Sequence, residues 1–545
     1  MRLAAALCLI FFRPLAFGQQ SAPDLILFNG KVFTSNSSHP FVEALAIRRE
    51  RIVALGASKE IVALSGPETK RLNLGERVVI PGINDAHCHL DIVPRSFGLR
   101  FKDMDDPKWS EVERELASAI GKTPKGALIV GEVGPTAWDD RKARRTRLDQ
   151  LAANRPVLLW TWTRHAAILN TAALRKFAVR EDEPDPLGGR YLRLAGDGKL
   201  NGVALEFAAF RLDRRLSEMA TDEEALQQTR DLLNQAVRLG ITSVQNMCGL
   251  APGRCVALFE KAPTPIRIRM MRFLLTDQNG RIAGEGRELP AHPTPLVTVS
   301  GTKWVLDGTP IERTAALRKP YADRPNTSGW LNFNQKEMEA MLRESLQNDD
   351  QLLVHLAGDR ATETFLNAMD ATGGKAVWTR RRVRIEHGDG IMPDLVARSR
   401  ELGVVVVQNP SHLMLRELLV RRFDRERTAQ MQPLRSLLEA GIPLAIGSDG
   451  PLNPYLNIMF ASTYPGKPKE ALTREQAVTA YTLTAAYAEF AEKDKDSLER
   501  GKLADLAVLS QDIFRIPAAD LPKTESVLTL VGGRIVYDAK AVVPQ

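Results

Sequence analysis

Two histidines separated by a single residue stand in the segment PGINDAHCHLD, which covers residues 81–91. The segment continues the apolar run RVVI, so we expect it to end a β-strand. Because side chains alternate between the two faces of a strand, His87 and His89 point to the same side, roughly 7 Å apart in backbone terms, and can converge on one metal ion. Cys88 then points the other way, and we interpret it as a small core residue and not as a ligand.

Further polar residues stand within or at the ends of later apolar runs. They are Lys303, His355, His387 and Asp449. Four of the eight histidines therefore lie at the expected ends of strands. Imidazole and carboxylate ligands together suit zinc, and iron, manganese and nickel use the same ligands.

Lys303 is the unexpected member of this set, because an ammonium group repels metal cations. Burial beside such ions should lower its pKa. The neutral amine can then take up carbon dioxide and become a carbamate, an anionic bridge between two metals. The alternative is an ordinary buried lysine paired with Asp307, and the chemistry of the residues leaves both interpretations open.

Eight short apolar runs must position these residues, and most of them precede a helical segment. They are RVVIPGINDAHCH, GITSVQNM, IRIRMMRFLL, LVTVSGTKWVLDG, QLLVHLAG, RVRIEHGD, GVVVVQNP and IPLAIGSDG. Continuous apolar strands that alternate with helices indicate a parallel sheet covered on both faces. Eight such units predict an α/β fold, a (β/α)8 TIM-like barrel, in which active sites lie at the carboxyl ends of the strands. One helix is well marked, LTREQAVTAYTLTAAYAEF, because Thr473 and Gln476 form a capping-box pattern at its start.

The two ends of the chain differ from this middle region. Residues 19–80 and 496–545 contain short β-rich runs split by turn residues, which predicts a small β-sandwich domain built from both termini. The barrel then covers residues 81–495. The stretch from about 92 to 238 is too long for one crossover, and we expect it to be an insertion after the first barrel strand.

The composition excludes some classes of partner. The net charge is +8, but the basic residues are scattered, and no basic stripe interleaved with aromatic residues occurs. We therefore expect no nucleic-acid partner. A chain of 545 residues is also too long for one compact core, which agrees with a division into domains.

The N-terminus has the pattern of an export signal over residues 1–18. Arg2 precedes the apolar run LAAALCLIFF, and Ala16-Phe17-Gly18 is a small-x-small cleavage site, with cleavage expected after Gly18. The run is too short to span a membrane, so we expect an exported protein, periplasmic or secreted, without stable membrane association. In an oxidising compartment Cys248 and Cys255 are close enough in sequence to form a disulfide.

Six segments, in order along the chain, resemble the amidohydrolase superfamily, and within it the amidohydrolase-3 type that includes N-substituted formamide deformylase-like proteins. They are PGINDAHCH, GTKWVLDGTPIERTAALRKPYAD, HLAGDRA, RIEHGD, GSDGP and SLERGKLADLAVLS. The resemblance implies a metal-dependent barrel with a β-sandwich domain and two divalent metal ions, with Zn²⁺ the expected ion. The implied ligands are His87, His89 and Asp449 for the first ion, His355 and His387 for the second, and carboxylated Lys303 as the bridge between them.

This ligand set predicts hydrolysis of a non-peptide carbon–nitrogen (amide) bond by a metal-activated hydroxide. Asp449 is the expected catalytic residue, which accepts the proton of the water and later delivers it to the leaving amine. The expected partner is a small amide-type substrate. The sequence leaves the oligomeric state open, a homo-oligomer included.

The insertion and one later loop supply candidate substrate-binding residues. Trp138 lies in GEVGPTAWDD, and Glu206 ends GVALE. His165 lies in RHAAILNTAAL, where Arg164 stands in place of the glycine of the family pattern. His412 follows the seventh predicted strand, at the end of the barrel where substrate would bind. Ordinary packing is the alternative role for Trp138, His165 and Glu206.

Two other functions compete with the binuclear amidohydrolase. One is a mononuclear deaminase, or a cyclic amide or urea hydrolase of the same fold, in which Lys303 stays unmodified. The other is a non-catalytic binding or regulatory protein on this scaffold. The presence of Asp449 argues against the second, because a binding protein has no need of a general base.

Overall fold

The computed structural model describes residues 22–99, 101 and 106–545. The export signal expected over residues 1–18 lies outside these residues. Among the helices of the described ranges, none is long and apolar enough to cross a membrane.

Eight parallel strands form a nearly closed barrel. In chain order they are β1 Ile83–Cys88, β2 Ile241–Asn246, β3 Arg267–Phe273, β4 Val297–Val305, β5 Leu352–Leu356, β6 Arg384–His387, β7 Val405–Gln408 and β8 Leu444–Ile446. Each strand pairs with the next one in this order, and the backbone N–H of Asp449 donates to the carbonyl of His87 (3.0 Å) between the two ends of the sheet. The predicted parallel barrel is confirmed.

Helices follow most of these strands and cover the outside of the barrel. They are Pro252–Lys261 after β2, Gln335–Gln347 after β4, Asp359–Ala371 and Gly374–Trp378 after β5, Pro393–Glu401 after β6, Arg416–Phe423, Arg425–Gln430 and Leu434–Glu439 after β7, and Pro454–Thr463, Arg474–Ala480 and Leu483–Tyr487 after β8. The residues of β5 to β8 are all buried, as expected for strands covered by helices on the outer face.

The predicted capping box at Thr473 is present, and Gln476 donates its backbone N–H to the Thr473 hydroxyl (3.1 Å). The single helix expected after it is divided in two. Thr482 leaves the helical conformation at φ −128°, where its hydroxyl is hydrogen-bonded to that of Ser35 (2.9 Å) in the N-terminal region. The local helical pattern is thus interrupted at a residue that contacts a distant segment.

The insertion contains a sheet of its own. Its strands lie in the order Gly189–Arg193, Leu200–Glu206, Ala166–Leu169, Val157–Thr161, Ile129–Val133 and Phe97–Gly98. Its helices are Trp109–Lys122, Pro135–Trp138, Arg145–Ala152, Thr171–Lys176 and Phe207–Glu218, and Asp222–Arg238 leads back into the barrel.

Two further sheets combine strands from both ends of the chain. One contains Val543–Pro544, Lys70–Asn73, Leu25–Phe28, Ala44–Arg48 and Arg51–Gly56. The other contains Arg534–Asp538, Ser526–Val531, Leu506–Leu509, Val78–Pro81, Lys31–Phe33 and Phe41–Val42. Leu27 and Leu45 of the first sheet share one apolar core with Val79 and Leu506 of the second. Only Gly82 separates Val78–Pro81 from β1, so the chain passes directly from the β-sandwich into the barrel.

Candidate metal centre

The carboxylate of Asp449 lies at the centre of a histidine cluster at the carboxyl end of the barrel. One oxygen, Oδ1, is 3.4 Å from Nε2 of His87 and 3.2 Å from Nε2 of His89. The other oxygen, Oδ2, is 3.4 Å from Nε2 of His412 and 3.6 Å from Nδ1 of His387. Each oxygen therefore faces a pair of imidazoles.

Two groups of three residues in the described parts of the chain have ligand atoms that all lie within 4.8 Å of one another. They are His87, His89 and Asp449, and His387, His412 and Asp449. The structure thus brings together four of the six ligands expected from the sequence, and it adds His412 to them. The roles of these residues as ligands remain predictions.

Each of the four histidines expected as ligands donates one ring N–H to an oxygen. The pairs are His87 Nδ1 with Glu386 Oε2 (2.7 Å), His89 Nδ1 with the carbonyl of Met247 (2.9 Å), His387 Nδ1 with Asn409 Oδ1 (2.8 Å) and His355 Nε2 with the carbonyl of Gly308 (3.3 Å). An oxygen that can only accept fixes the tautomer of the ring, so the second nitrogen of each neutral histidine keeps its lone pair for a metal ion.

His355 and Lys303 lie beside the two groups and not within them. The ring of His355 packs 4.5 Å from that of His387, measured between centroids. Lys303 is only 2% exposed, and its Nζ lies 3.4 Å from Sδ of Met247. Within the described ranges it has no carboxylate partner within 4.0 Å. Burial lowers the pKa of Lys303 to about 8, although the charges of Glu386 and Asp449 oppose that shift.

The alternative pairing of Lys303 with Asp307 does not form. The carboxylate of Asp307 instead accepts backbone N–H groups of the neighbouring loops, those of Ala316 (2.9 Å), Ala357 (3.0 Å) and Gly358 (2.8 Å). Asp307 therefore fixes the loops that follow β4 and β5, and among the described residues no carboxylate is in direct contact with Lys303.

Two of the expected ligands have left-handed backbone conformations. His387 has φ 67° and Asp449 has φ 39°, a region that non-glycine residues rarely adopt. Strict alternation along β6 would direct Glu386 and His387 to opposite faces. The turn of the backbone at His387 lets both side chains face the barrel interior.

Sequence analysis missed the support for His87. Glu386 is fully buried, and its Oε1 accepts from Nε of Arg384 (2.8 Å), which is itself fully buried. Burial alone would raise the pKa of Glu386, but the charge of Arg384 and the hydrogen bond from His87 hold it well below its ordinary value. The alternation of two charged residues, Arg384 and Glu386, in a buried strand was the signal that could have identified this pair.

The candidate substrate-binding residues differ in their position relative to the histidine cluster. His412 lies in the cluster, as described above. The ring centroid of His165 lies 4.7 Å from that of His355, and the Nδ1–H of His165 donates to Glu206 Oε2 (2.8 Å). Trp138 is 8% exposed and packs in the apolar core of the insertion. Arg164 pairs with Glu132 (2.8 Å) and Asp213 (3.3 Å).

All three cysteines of the described residues are buried and unbridged. They are Cys88, Cys248 and Cys255. Cys88 is 2% exposed and belongs to the largest apolar core, where the alternation argument places it. The disulfide that Cys248 and Cys255 could form is not present in the structure.

Comparison with known proteins shows the family to which the chain belongs. A family model described as "Amidohydrolase family" matches residues 71–537. The chain belongs to the amidohydrolase family. Members of this family are metal-dependent hydrolases of carbon–nitrogen bonds, and this amidohydrolase is therefore an enzyme of that kind.

Two relatives of this amidohydrolase match almost their whole length. Protein LONG AFTER FAR-RED 3 of Arabidopsis thaliana is 27% identical, with 94% of this chain and 91% of the relative covered. N-substituted formamide deformylase of Arthrobacter pascens is 24% identical, with 94% and 98% covered. The crystal structure of an uncharacterized metal-dependent hydrolase from Pyrococcus horikoshii OT3 superimposes with a TM-score of 0.68 at 21% identity, covering 91% of this chain and 99% of that one. This similarity supports the same overall fold.

Proposed function

We propose that this amidohydrolase cleaves a non-peptide amide bond in a small molecule, with Asp449 as the general base and acid. The observation that carries the proposal is the position of the Asp449 carboxylate, whose two oxygens each face a pair of histidines. The relative named N-substituted formamide deformylase supports a small amide as the class of substrate.

The side chains of the cluster suit two divalent ions, with zinc preferred, because they combine neutral imidazoles with one carboxylate. His87, His89 and Asp449 would hold one ion, and His355 and His387 the other. Divalent ions at this position would supply an activated water molecule and polarisation of the scissile carbonyl.

The protein's own residues would carry the protons and fix the geometry. Asp449 accepts a proton from the attacking water and delivers it to the leaving nitrogen, so one carboxylate acts first as base and then as acid. Glu386 holds the ring of His87 through Nδ1, which keeps Nε2 directed to the site. His412, whose Nε2 is 3.4 Å from Oδ2 of Asp449, would contact the substrate beside that carboxylate.

Lys303 would form the bridge between the two ions as a carbamate. In that reaction the neutral amine forms a bond to the carbon of carbon dioxide and loses one proton, which leaves an anionic ligand. The burial of this lysine and its lack of a carboxylate in direct contact among the described residues support the proposal, because burial favours the neutral amine that takes up carbon dioxide. We also propose that the signal over residues 1–18 directs export of the protein.

The metal content of the purified mature protein tests this function first. We expect about two metal ions per chain when the protein is produced with zinc and bicarbonate, and a lower content in Lys303→Ala. Lys59→Ala, a change at an exposed helix, is the matched control and should keep the wild-type content. About one ion per chain, unchanged in Lys303→Ala, would favour the mononuclear deaminase or cyclic amide hydrolase.

Activity on a panel of small amides tests the chemistry separately. The panel contains N-substituted formamides such as 4-nitroformanilide, together with acetanilides, lactams and ureas. We expect hydrolysis of at least one class and its loss in Asp449→Asn. Wild-type protein without metal after reconstitution, or an Asp449→Asn variant with full activity, would overturn the proposed function.

A further inference from the structure

The pair His165 and Glu206 lies at the edge of the metal centre, on the insertion and not on the barrel. The ring of His165 packs against His355, with centroids 4.7 Å apart and an interplanar angle of 39°. Its Nδ1 is 2.8 Å from Glu206 Oε2, and both side chains are almost fully buried. The edge of Phe210 contacts the same ring, with centroids 5.0 Å apart.

The backbones of His165 and Glu206 are also held next to each other. His165 directly precedes the strand Ala166–Leu169, and Glu206 ends the strand Leu200–Glu206 that pairs with it. The backbone N–H of Glu206 donates to the carbonyl of His165 (2.8 Å). Glu206 has φ 52° and ψ −126°, a strained conformation for a residue other than glycine.

The groups that hold the rings of His165 and His355 meet at Gly308. Nε2 of His355 donates to the carbonyl of Gly308, and Oε1 of Glu206 lies against Gly308, where an added Cβ would be only 2.0 Å away. Glu206 occupies Nδ1 of His165 and Gly308 occupies Nε2 of His355, so Nε2 of His165 and Nδ1 of His355 are the ring nitrogens left for other partners.

The environment of Glu206 is unusual for a structural carboxylate. Its side chain is fully buried, and within the described ranges no lysine or arginine lies within 4.0 Å of it. Among the described residues, its Oε1 has no hydrogen-bond partner, and its Oε2 receives a long contact from Nδ2 of Asn332 (3.4 Å) besides the hydrogen bond from His165. A buried carboxylate with so few partners costs stability, and the one short hydrogen bond of Glu206 is to His165, so its role is best explained by what it does for that ring.

We propose that His165 is a catalytic residue whose Nε2 hydrogen-bonds the scissile amide group of the substrate, and that Glu206 is its positioning residue. Among the hydrogen bonds of the described residues, none uses Nε2 of His165, so this nitrogen is available. With Nδ1–H donated to Glu206, Nε2 of the neutral ring accepts a hydrogen bond from the amide N–H, and Nε2 of the protonated ring donates one to the carbonyl oxygen. The inference rests on the proposed amide hydrolysis, because it names a contact made during that reaction.

The experiment compares His165→Phe, His165→Gln and Glu206→Gln with His39→Phe, in which an exposed histidine of a distant loop is changed. For each protein, metal content, thermal unfolding and the kcat and KM for 4-nitroformanilide, or for the best amide of the panel, are measured. The Kd of acetohydroxamic acid, a metal-binding amide analogue, gives a readout that does not need turnover. His165→Gln serves as the second variant where His165→Phe does not fold.

We expect His165→Phe to keep its metal and to lose kcat/KM by about 100-fold, the usual effect of removing one positioned hydrogen bond at a reacting group. The loss should fall mainly on kcat, be smaller in His165→Gln and Glu206→Gln, and be absent in His39→Phe. The Kd of acetohydroxamic acid should rise about tenfold in His165→Phe.

Three outcomes would overturn the inference. The first is a His165→Phe variant within threefold of wild type in both kcat/KM and acetohydroxamate affinity. The second is loss of metal from that variant, which would make His165 a ligand. The third is wild-type protein that does not bind acetohydroxamic acid. If wild-type protein binds metal but hydrolyses no amide, the proposed function fails separately, and weaker acetohydroxamate binding by His165→Phe still supports the contact.

Discussion

At the scale of single residues, the chemistry of this site depends on which nitrogen of each histidine is free. Two buried carboxylates decide this for two rings, Glu386 for His87 and Glu206 for His165, each through a short hydrogen bond to Nδ1. A carboxylate partner orients an imidazole more strictly than water does and makes its other nitrogen more basic. Both pairs therefore use the same hydrogen bond between a carboxylate and an imidazole. Their expected roles differ, because His87 is expected to bind metal and His165 to contact the substrate.

The first of these pairs gives a prediction about metal affinity. Glu386→Gln keeps an oxygen for His87 but removes the negative charge that balances the fully buried Arg384. We expect metal affinity to fall about 10- to 100-fold, as for other partners of metal-binding histidines. Competition with a chelator measures this affinity, and Glu401→Gln, at the exposed end of a helix, is the control. An unchanged affinity would show that Glu386 only neutralises Arg384.

At the scale of elements, the loops that follow the strands bring the insertion and the barrel together. The loop after β4 approaches the insertion at Gly308, where an added Cβ would meet Oε1 of Glu206 at 2.0 Å and Oγ1 of Thr314 at 1.9 Å. The carbonyl of the same glycine accepts from His355. One residue without a side chain thus lets His355, a predicted metal ligand, and the His165–Glu206 pair contact the same loop.

Gly308→Ala should disturb this junction. We expect a loss of about 1–3 kcal/mol in the free energy of unfolding, the usual cost of crowding a well-packed site. Catalytic activity should also fall, and by more than the loss of folded protein explains, because both His355 and Glu206 would have to move. Denaturant unfolding measures the first effect. Gly253→Ala, where an added Cβ meets nothing within 4 Å, is the control, and equal stability of the two variants would contradict the close approach.

These contacts also separate what local sequence could predict from what it could not. The strands and the shared face of His87 and His89 follow from apolar runs and alternation, and both depend only on neighbouring residues. The inward direction of both Glu386 and His387 breaks alternation, because it depends on the left-handed backbone at His387. The place of His412 beside Asp449 depends on the path of a loop, which composition does not determine.

At the scale of the whole molecule, an ionic network fixes the insertion on the barrel. Asp139, at the end of the helix Pro135–Trp138, is 2.7 Å from Arg313 and 2.9 Å from Arg422. Asp323 contacts the same two arginines, at 2.8 Å from Arg313. The side chain of Arg422 is fully buried, so its charge depends on these two carboxylates. The network joins the insertion to the loop after β4, which also contains Gly308, and to the helix Arg416–Phe423, which follows the segment with His412.

This network predicts a loss of stability in acid. Burial by itself would raise the pKa values of Asp139 and Asp323, but hydrogen bonds and charges of the arginines lower both below the ordinary value. Carboxylates with a lowered pKa in the folded state stabilise it above the unfolded value, about 3.9, and lose that contribution as the pH falls through the lowered pKa. The thermal midpoint should therefore fall steeply below about pH 4.

Asp139→Asn tests whether the insertion interface causes that fall. The variant leaves Arg422 with one carboxylate in place of two, so its thermal midpoint should be lower than that of wild type at pH 7. Because one titrating group is removed, the difference between the two proteins should shrink as the pH falls from 5 to 3. Calorimetry across this range measures the two curves, and Asp231→Asn, at an exposed helix position, should reproduce the wild-type curve. Wild-type and Asp139→Asn curves that stay parallel down to pH 3 would assign the acid sensitivity to another part of the molecule, and the insertion would then be held mainly by apolar contacts such as Ile311 and Leu418 in its core.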